Sequence, residues 1–245
     1  MALTVERFQQ ELQGKSIEVI EHRCENNLSK SNVKTCILGV LLSDEGKRIE
    51  QYMLLWLKKE YNVISVRQPM PGNMFEFPAL RFAQLFSVEN KEPVLYLHTK
   101  GAGNPGKIQR KIVNMWKHEY VVHKSAYDKS INQYDLLVPY SGPQAITWFN
   151  GFIASPKAFS SIPSLVLVDD RYFYEKIFEG KAINLFCRRL SNVCNDGTKD
   201  TRFLLFRDLK RFPSSFTSFS EFLHIIYKLI FGVTDFCRGR SCLFR

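Results

Sequence analysis

The apolar run Val94-Leu95-Tyr96-Leu97 ends abruptly at an imidazole, a hydroxyl, an ammonium and a glycine, His98-Thr99-Lys100-Gly101. Such a segment predicts a buried strand that carries polar chemistry at its carboxyl end. In an open α/β sheet the carboxyl ends of the strands border the ligand crevice, so Val94 to Leu97 are expected in the core and His98 to Lys100 at the crevice. The competing reading of the same residues is a solvated turn leading into a helix.

The flanking pattern favours a sheet. Residues 1–33 read as a helical lead-in, with Leu3, Phe8 and Leu12 apolar and a polar connector at Asn26 to Asn32. Lys34 to Leu42 is a continuous apolar run, as a parallel strand buried on both faces should be. Ser43-Asp44-Glu45-Gly46 makes a turn and can cap a helix through Ile49, Tyr52, Met53, Trp56 and Leu57, and Asn62 to Val66 is the next strand. The turn is neither Gly-x-Gly-x-x-Gly nor a Walker A loop, which speaks against dinucleotide binding and P-loop hydrolysis. Pro69 to Gly72 breaks the pattern, a second helix covers Phe77 to Phe86, and a third runs from Ile108 to about Ala126. His118 and His123 are five apart on that third helix. On an α-helix five residues turn through about 140° beyond a full revolution, so the two imidazoles are expected on different faces and no metal ligands are assigned to them.

The chain has 245 residues, 45% of them hydrophobic, and a net charge of +10, the composition of a folded protein that favours anionic partners. No basic tail and no nucleic-acid-binding motif accompanies the charge, so nucleic acid is the weakest partner class. The polar N-terminus and the lack of a bilayer-length apolar run lead to the expectation of a cytoplasmic protein, with the inner membrane face as a peripheral site. The six cysteines form no Cys-x-x-Cys pair and are expected as reduced thiols.

Two further blocks carry chemistry. Tyr134 to Tyr140 reads as a short strand, and Trp148-Phe149-Asn150-Gly151-Phe152-Ile153-Ala154 sets an amide and a glycine among aromatic residues. That mixture suits a sugar, whose C–H faces pack on aromatic rings and whose hydroxyls bond an amide; the competing reading, which residue type alone favours slightly, is a core strand with a bulge at Gly151. Asp169-Asp170-Arg171-Tyr172-Phe173-Tyr174-Glu175 then brings three carboxylates within seven residues. They can hold a divalent ion, supply a general base, or cap a helix over Arg171 to Phe178.

The order Tyr96-Leu97-His98-Thr99-Lys100-Gly101, then Trp116 and Tyr120, then Tyr134-Asp135, then Trp148 to Ala154, then Asp170-Arg171-Tyr172 with Glu175, resembles a family of bacterial glycosyltransferase-like proteins over about Lys34 to Phe178. In that family a Tyr-x-His-Thr-Lys-Gly strand end precedes a Gly-Asn-Phe-Trp-Trp-Ala-type segment and an acidic helix start. Here the second segment reads Phe-Asn-Gly-Phe-Ile-Ala, with the Gly-Asn order reversed.

The resemblance implies an α/β, GT-A-like domain over residues 34–185, with a Rossmann-like, mostly parallel central sheet flanked by helices, and a helical C-terminal extension, residues 186–245, packed on it. It implies transfer of a sugar from a nucleotide-diphospho-sugar donor to an acceptor hydroxyl in surface polysaccharide or glycan synthesis, by displacement at the anomeric carbon. His98, Thr99, Lys100 and Gly101 would bind the donor, with Lys100 and His98 offsetting diphosphate charge; Trp148, Asn150 and Gly151 would line the sugar or acceptor pocket; and Asp170, with Asp169 and Glu175 as competitors, would be the general base. Such enzymes often hold manganese or magnesium on an Asp-x-Asp motif, which this chain lacks. Without that motif, a GT-A-like protein that binds glycan or nucleotide without turnover is the alternative. The apolar segment Phe222 to Phe231, with Lys210, Arg211, Arg238, Arg240 and Arg245, reads as a helix that packs on its own domain or rests on an anionic membrane near a lipid-linked acceptor.

Overall fold

The computed structural model describes residues 2–12, 16–26, 28, 30–69, 74, 76–100, 102, 106–168, 170, 173–188 and 209–214. Its pivot is β2 (Thr35–Leu42), whose residues Cys36 to Val40 are buried on both faces. β2 is parallel to β3 (Asn62–Pro69) on one side and to β4 (Val94–His98) on the other. β3 pairs at its outer edge with the antiparallel β1 (Glu18–His22). Beyond β4 come β6 (Phe152–Ala154), antiparallel to both of its neighbours, then β5 (Leu136–Val138) and the parallel β7 (Leu185–Cys187). The sheet has seven strands in the order β1-β3-β2-β4-β6-β5-β7.

This order decides where the helices go. α2 (Asp44–Leu57) connects β2 to β3, and α3 (Phe77–Asn90) connects β3 to β4 on the far side of β2. Right-handed crossovers in opposite directions put their helices on opposite faces. Accordingly α3 packs with α1 (Ala2–Glu11) and α6 (Pro156–Ser160) over Ile37, Val66, Tyr96 and Phe152, in a core that also takes in Phe8, Phe159 and Phe178. The other face takes Ile49, Met53 and Trp56 of α2, with Val113 and Trp116 of α4 (Lys107–Lys117). α1 is fixed to α3 by Phe8 edge-on to Phe82 at 5.1 Å and by Arg81, which donates twice to the Glu11 carboxylate at 2.8 Å.

The turn after β2 fits its residues closely. Ser43 caps α2, its hydroxyl accepting the Gly46 N–H at 2.9 Å while donating to the Ala102 carbonyl at 2.8 Å. At position 46 a Cβ would lie 1.9 Å from the Leu41 carbonyl oxygen, so the helix can start this close to the strand only on glycine.

The α/β class with a helix-flanked sheet holds, but the sheet is mixed rather than mostly parallel, since β1 and β6 run antiparallel to their neighbours, and several boundaries move. The N-terminal lead-in is not wholly helical, since residues 18–22 form β1; Glu-Val-Ile-Glu-His offers too little alternation to stand out, and its pairing with β3 supplies the order. β7 straddles the expected boundary at residues 185/186 and belongs to the sheet. The third helix divides into α4, a π-helical turn at His118–Val122, and α5 (Lys124–Ser130). The helix expected over Arg171 to Phe178 is a 3-10 turn, Phe173–Lys176, and the one at Phe222 to Phe231 lies outside the described residues. Among the described residues no helix is long and apolar enough to cross a membrane.

Replacing Gly46 with Ala opposes two effects. Helix propensity favours alanine by about 1 kcal/mol, whereas overlap with a backbone carbonyl typically costs about 1–3 kcal/mol. The contact is with main chain that cannot rotate away, so Gly46→Ala is expected to lower the urea midpoint; an unchanged or raised midpoint would show that α2 is free to shift.

Candidate functional site

The strand order reverses between β2 and β4, and their carboxyl ends meet at residues 39–43 and 98–100. Thr99 laces them together: its N–H donates to the Gly39 carbonyl at 2.8 Å and its hydroxyl oxygen accepts the Leu41 N–H at 3.2 Å. Thr99 is buried, so it forms the floor of the crevice and presents no open hydroxyl to it.

His98 stands on this floor. Its ring stacks on Tyr96 at 6.3 Å, leans on Trp116 at 5.5 Å, and places Nε2 3.0 Å from the Phe149 carbonyl. A carbonyl can only accept, so Nε2 carries the proton and Nδ1 is left with a lone pair. Burial, reinforced by the positive charge of Lys100 and only partly offset by the Phe149 carbonyl, drives the His98 pKa down to about 3. The imidazole is therefore neutral near pH 7, and the charge expected of it falls to Lys100, whose ammonium sits 5.1 Å from the centre of the Phe149 ring.

The segment opposite His98 is strained. Gln144, Ala145, Phe149 and Asn150 all have positive φ, the last two at 64° and 51° within the 3-10 turn Trp148–Asn150. For a phenylalanine this conformation is a genuine outlier, and such residues persist where surrounding bonds impose them, often at ligand clamps. Here Thr147 supplies the bonds. Its carbonyl accepts the Asn150 N–H at 3.2 Å, its hydroxyl donates to Asn150 Oδ1 at 3.1 Å, and its N–H donates to the Glu175 carbonyl at 2.8 Å.

Gly151 owes its identity to packing. Its φ of −115° suits any residue, but a Cβ there would lie 2.1 Å from Trp116 Nε1. The Tyr120 hydroxyl donates to the Gly151 carbonyl at 2.7 Å, so the helix after the His-Thr-Lys turn clamps this segment from behind. The bulge considered at Gly151 is absent, and its open face is filled by indole rather than left for ligand.

Three buried donors surround His98, namely the Tyr96 hydroxyl, Trp116 Nε1 and Asn150 Nδ2, and none has a hydrogen-bond partner among the described residues. An unpaired buried donor costs about 1–3 kcal/mol, so each of them would gain from a bound oxygen. Glu76, which gave no sequence signal because it follows the Pro69 to Gly72 break, also reaches this site. At the N-terminus of α3, its Oε1 lies 3.8 Å from His98 Nε2, too far for a hydrogen bond and, with a neutral imidazole, no ion pair. Its charge nevertheless adds to the burial that raises the Tyr96 and Tyr174 hydroxyl pKa values.

The expected residues are brought together unequally. His98, Thr99, Lys100, Asn150 and Gly151 share the β4 end, and Glu175 is drawn to them through its carbonyl on Thr147. Asp170 is exposed ahead of the 3-10 turn, its carbonyl accepting the Phe173 N–H at 3.2 Å. Gly101, Asp169 and the Trp148 side chain lie outside the described residues. Asp135 is structural, its carboxylate accepting from the Asn184 N–H at 3.0 Å and from Lys157 at 2.8 Å. At the entrance, Glu45 in the first turn of α2 is held by Arg48 at 2.7 Å with Arg110 at 3.8 Å, and the Arg48 bond keeps its pKa below the usual carboxylate value.

Apart from the Glu76 carboxylate, the groups at the β4 end do not suit a divalent ion. The imidazole spends its Nε2 proton on Phe149, Lys100 repels a cation, and no Asp-x-Asp pair is present. No family model, curated protein or solved structure matches the chain.

A group whose folded pKa is depressed to about 3 from 6.5 stays neutral in the folded protein while it charges in the unfolded chain. Its contribution to stability is complete above pH 6.5 and is lost as the pH falls towards 3. His98→Gln keeps a donor for the Phe149 carbonyl and cannot titrate. Its melting temperature should therefore fall less steeply than that of the wild type across this window, and parallel declines would show that His98 is charged or solvated.

Proposed function

We propose that the protein is a GT-A-like glycosyltransferase that moves a sugar from a nucleotide-diphospho-sugar to an acceptor hydroxyl on a glycan or lipid-linked carrier, in surface polysaccharide or glycan synthesis at the cytoplasmic side of the membrane. The observation that carries the reading is the pairing, at the point where strand order reverses, of one ammonium with a group of buried uncharged donors. A ligand that suits such a place is anionic at one end and rich in neutral oxygens at the other, as a nucleotide-sugar is.

In this reading Lys100 faces the diphosphate and offsets the charge that builds on it as the bond to the anomeric carbon breaks. The neutral donors Tyr96 and Asn150 hold sugar hydroxyls, and the Phe149–Asn150 backbone fixes the position of Asn150. Asp170, exposed ahead of the 3-10 turn, removes the proton from the attacking hydroxyl; Glu175, half-buried and tied to Thr147, competes for that role.

A binding protein of the same fold without turnover is the second reading, favoured by the missing Asp-x-Asp motif and by the neutrality of His98, which leaves less positive charge at the leaving group than the motif led one to expect.

Thermal-shift titration with a panel of nucleoside diphosphates and their sugars, with and without manganese, tests the site. One nucleotide-sugar is expected to raise the wild-type melting temperature, and Lys100→Ala is expected to abolish the shift. No shift with any donor would sink the assignment. With that donor in hand, hydrolysis or transfer separates enzyme from binder. Asp170→Asn should then cut kcat by about 10²–10⁴-fold with binding retained, and if Glu175→Gln does so instead, the base is Glu175.

A further inference from the structure

The π-helical turn His118–Val122 changes which side chains meet. In it the His123 N–H donates to the His118 carbonyl at 3.2 Å, an i→i+5 bond that widens the helix by a residue. Residues five apart, divergent on an α-helix, come into line, and the His118 and His123 rings meet edge to face with centroids 4.5 Å apart. The expectation that these imidazoles point to different faces is thus corrected.

Glu119 lies beside them, fully buried. Its two oxygens are used differently. Oε2 accepts from Arg188 Nε at 2.5 Å and from the Tyr127 hydroxyl at 3.1 Å, while Oε1 accepts a longer bond from Arg188 at 3.3 Å and faces His118 Nδ1 at 3.4 Å. One ligating atom from each of His118, Glu119 and His123 lies within 4.8 Å of the others.

We propose that His118, His123 and Glu119 Oε1 form a binding site for a transition-metal ion of the zinc class. Two imidazoles and one carboxylate oxygen are the ligand types that such ions prefer. Tyr127 and Arg188 act as an outer sphere that holds Oε2 and so turns Oε1 towards the imidazoles. His118 is 41% exposed along its side chain, so water can reach the remaining position and the ion has an entry path. The Arg188 charge opposes the ion and limits its affinity, which places the site among reversible ones. The ion would brace the wide turn on the helix that carries Trp116 and Tyr120. The site stands apart from the β4 end and does not rest on the glycosyl-transfer reading.

The test uses the full-length protein with its cysteines kept reduced. Zinc binding is followed by calorimetry, and cobalt(II) binding by its visible spectrum. One ion per chain is expected, with nitrogen and oxygen ligation in the cobalt spectrum. His118→Ala and His123→Ala, both at half-buried positions, should each weaken binding by about ten-fold or more, the loss that even outer-sphere changes produce. Absence of binding overturns the proposal. So does uptake that survives both substitutions, or a thiolate-to-cobalt charge-transfer band, either of which puts the ion on the cysteines. The wild-type spectrum decides the ligand type even if a variant fails to fold.

Discussion

A chain that leaves its central strand first to one side and then to the other must leave an opening between the carboxyl ends of the strands flanking that reversal. In this protein the opening lies between β2 and β4, and the rest of the site depends on how Thr99 closes its base. By extending the ladder to Gly39 and accepting from Leu41, Thr99 fixes the height at which the chain turns away. The Ser43 hydroxyl fixes the same turn from the other side through Ala102, and Gly46 allows α2 to begin directly beneath. His98 and Lys100 are positioned by these bonds rather than by anything they do themselves.

Once the floor is closed, desolvation sets the electrostatics. A buried imidazole next to an ammonium cannot hold a second positive charge at low cost, and His98 gives up its proton while Lys100 faces the Phe149 ring. A site that sequence suggested would be doubly cationic becomes one cation and one carboxylate, Glu76, beside a set of neutral donors. That division matters for recognition. A strongly positive patch attracts any polyanion, whereas separated charge and neutral donors discriminate a ligand by the order of its groups.

The parallel strands and their ends were legible because a strand buried on both faces has to be an unbroken apolar run, and the polar residues that stop it are visible as a change in type. Thr35–Leu42 and Val94–His98 are of this kind. What escaped was whatever depends on partners distant in sequence. β1 exists because β3 offers it an edge, Glu76 reaches His98 because α3 starts beside β4, and Gly151 is glycine because of an indole 35 positions earlier. The positive φ of Phe149 is the extreme case, since no local property of phenylalanine favours it and bonds through Thr147 and His98 hold it in place.

The π-helical turn links these long-range effects. Its adjacent residues Glu119 and Tyr120 are both fully buried, and the helix makes two attachments through them. Through Tyr120 and Trp116 it grips Gly151 and the strained turn; through Glu119 it grips Arg188, whose N–H extends the β5–β7 ladder at Val138. The far edge of the sheet is thereby tied to the helix that backs His98. A buried carboxylate that could not be left unpaired without a loss of about 3–5 kcal/mol makes that connection stiff. The turn that brings Glu119 to Arg188 thus directly follows Trp116 and contains Tyr120, the two side chains that back the strained Phe149–Asn150 segment at Gly151.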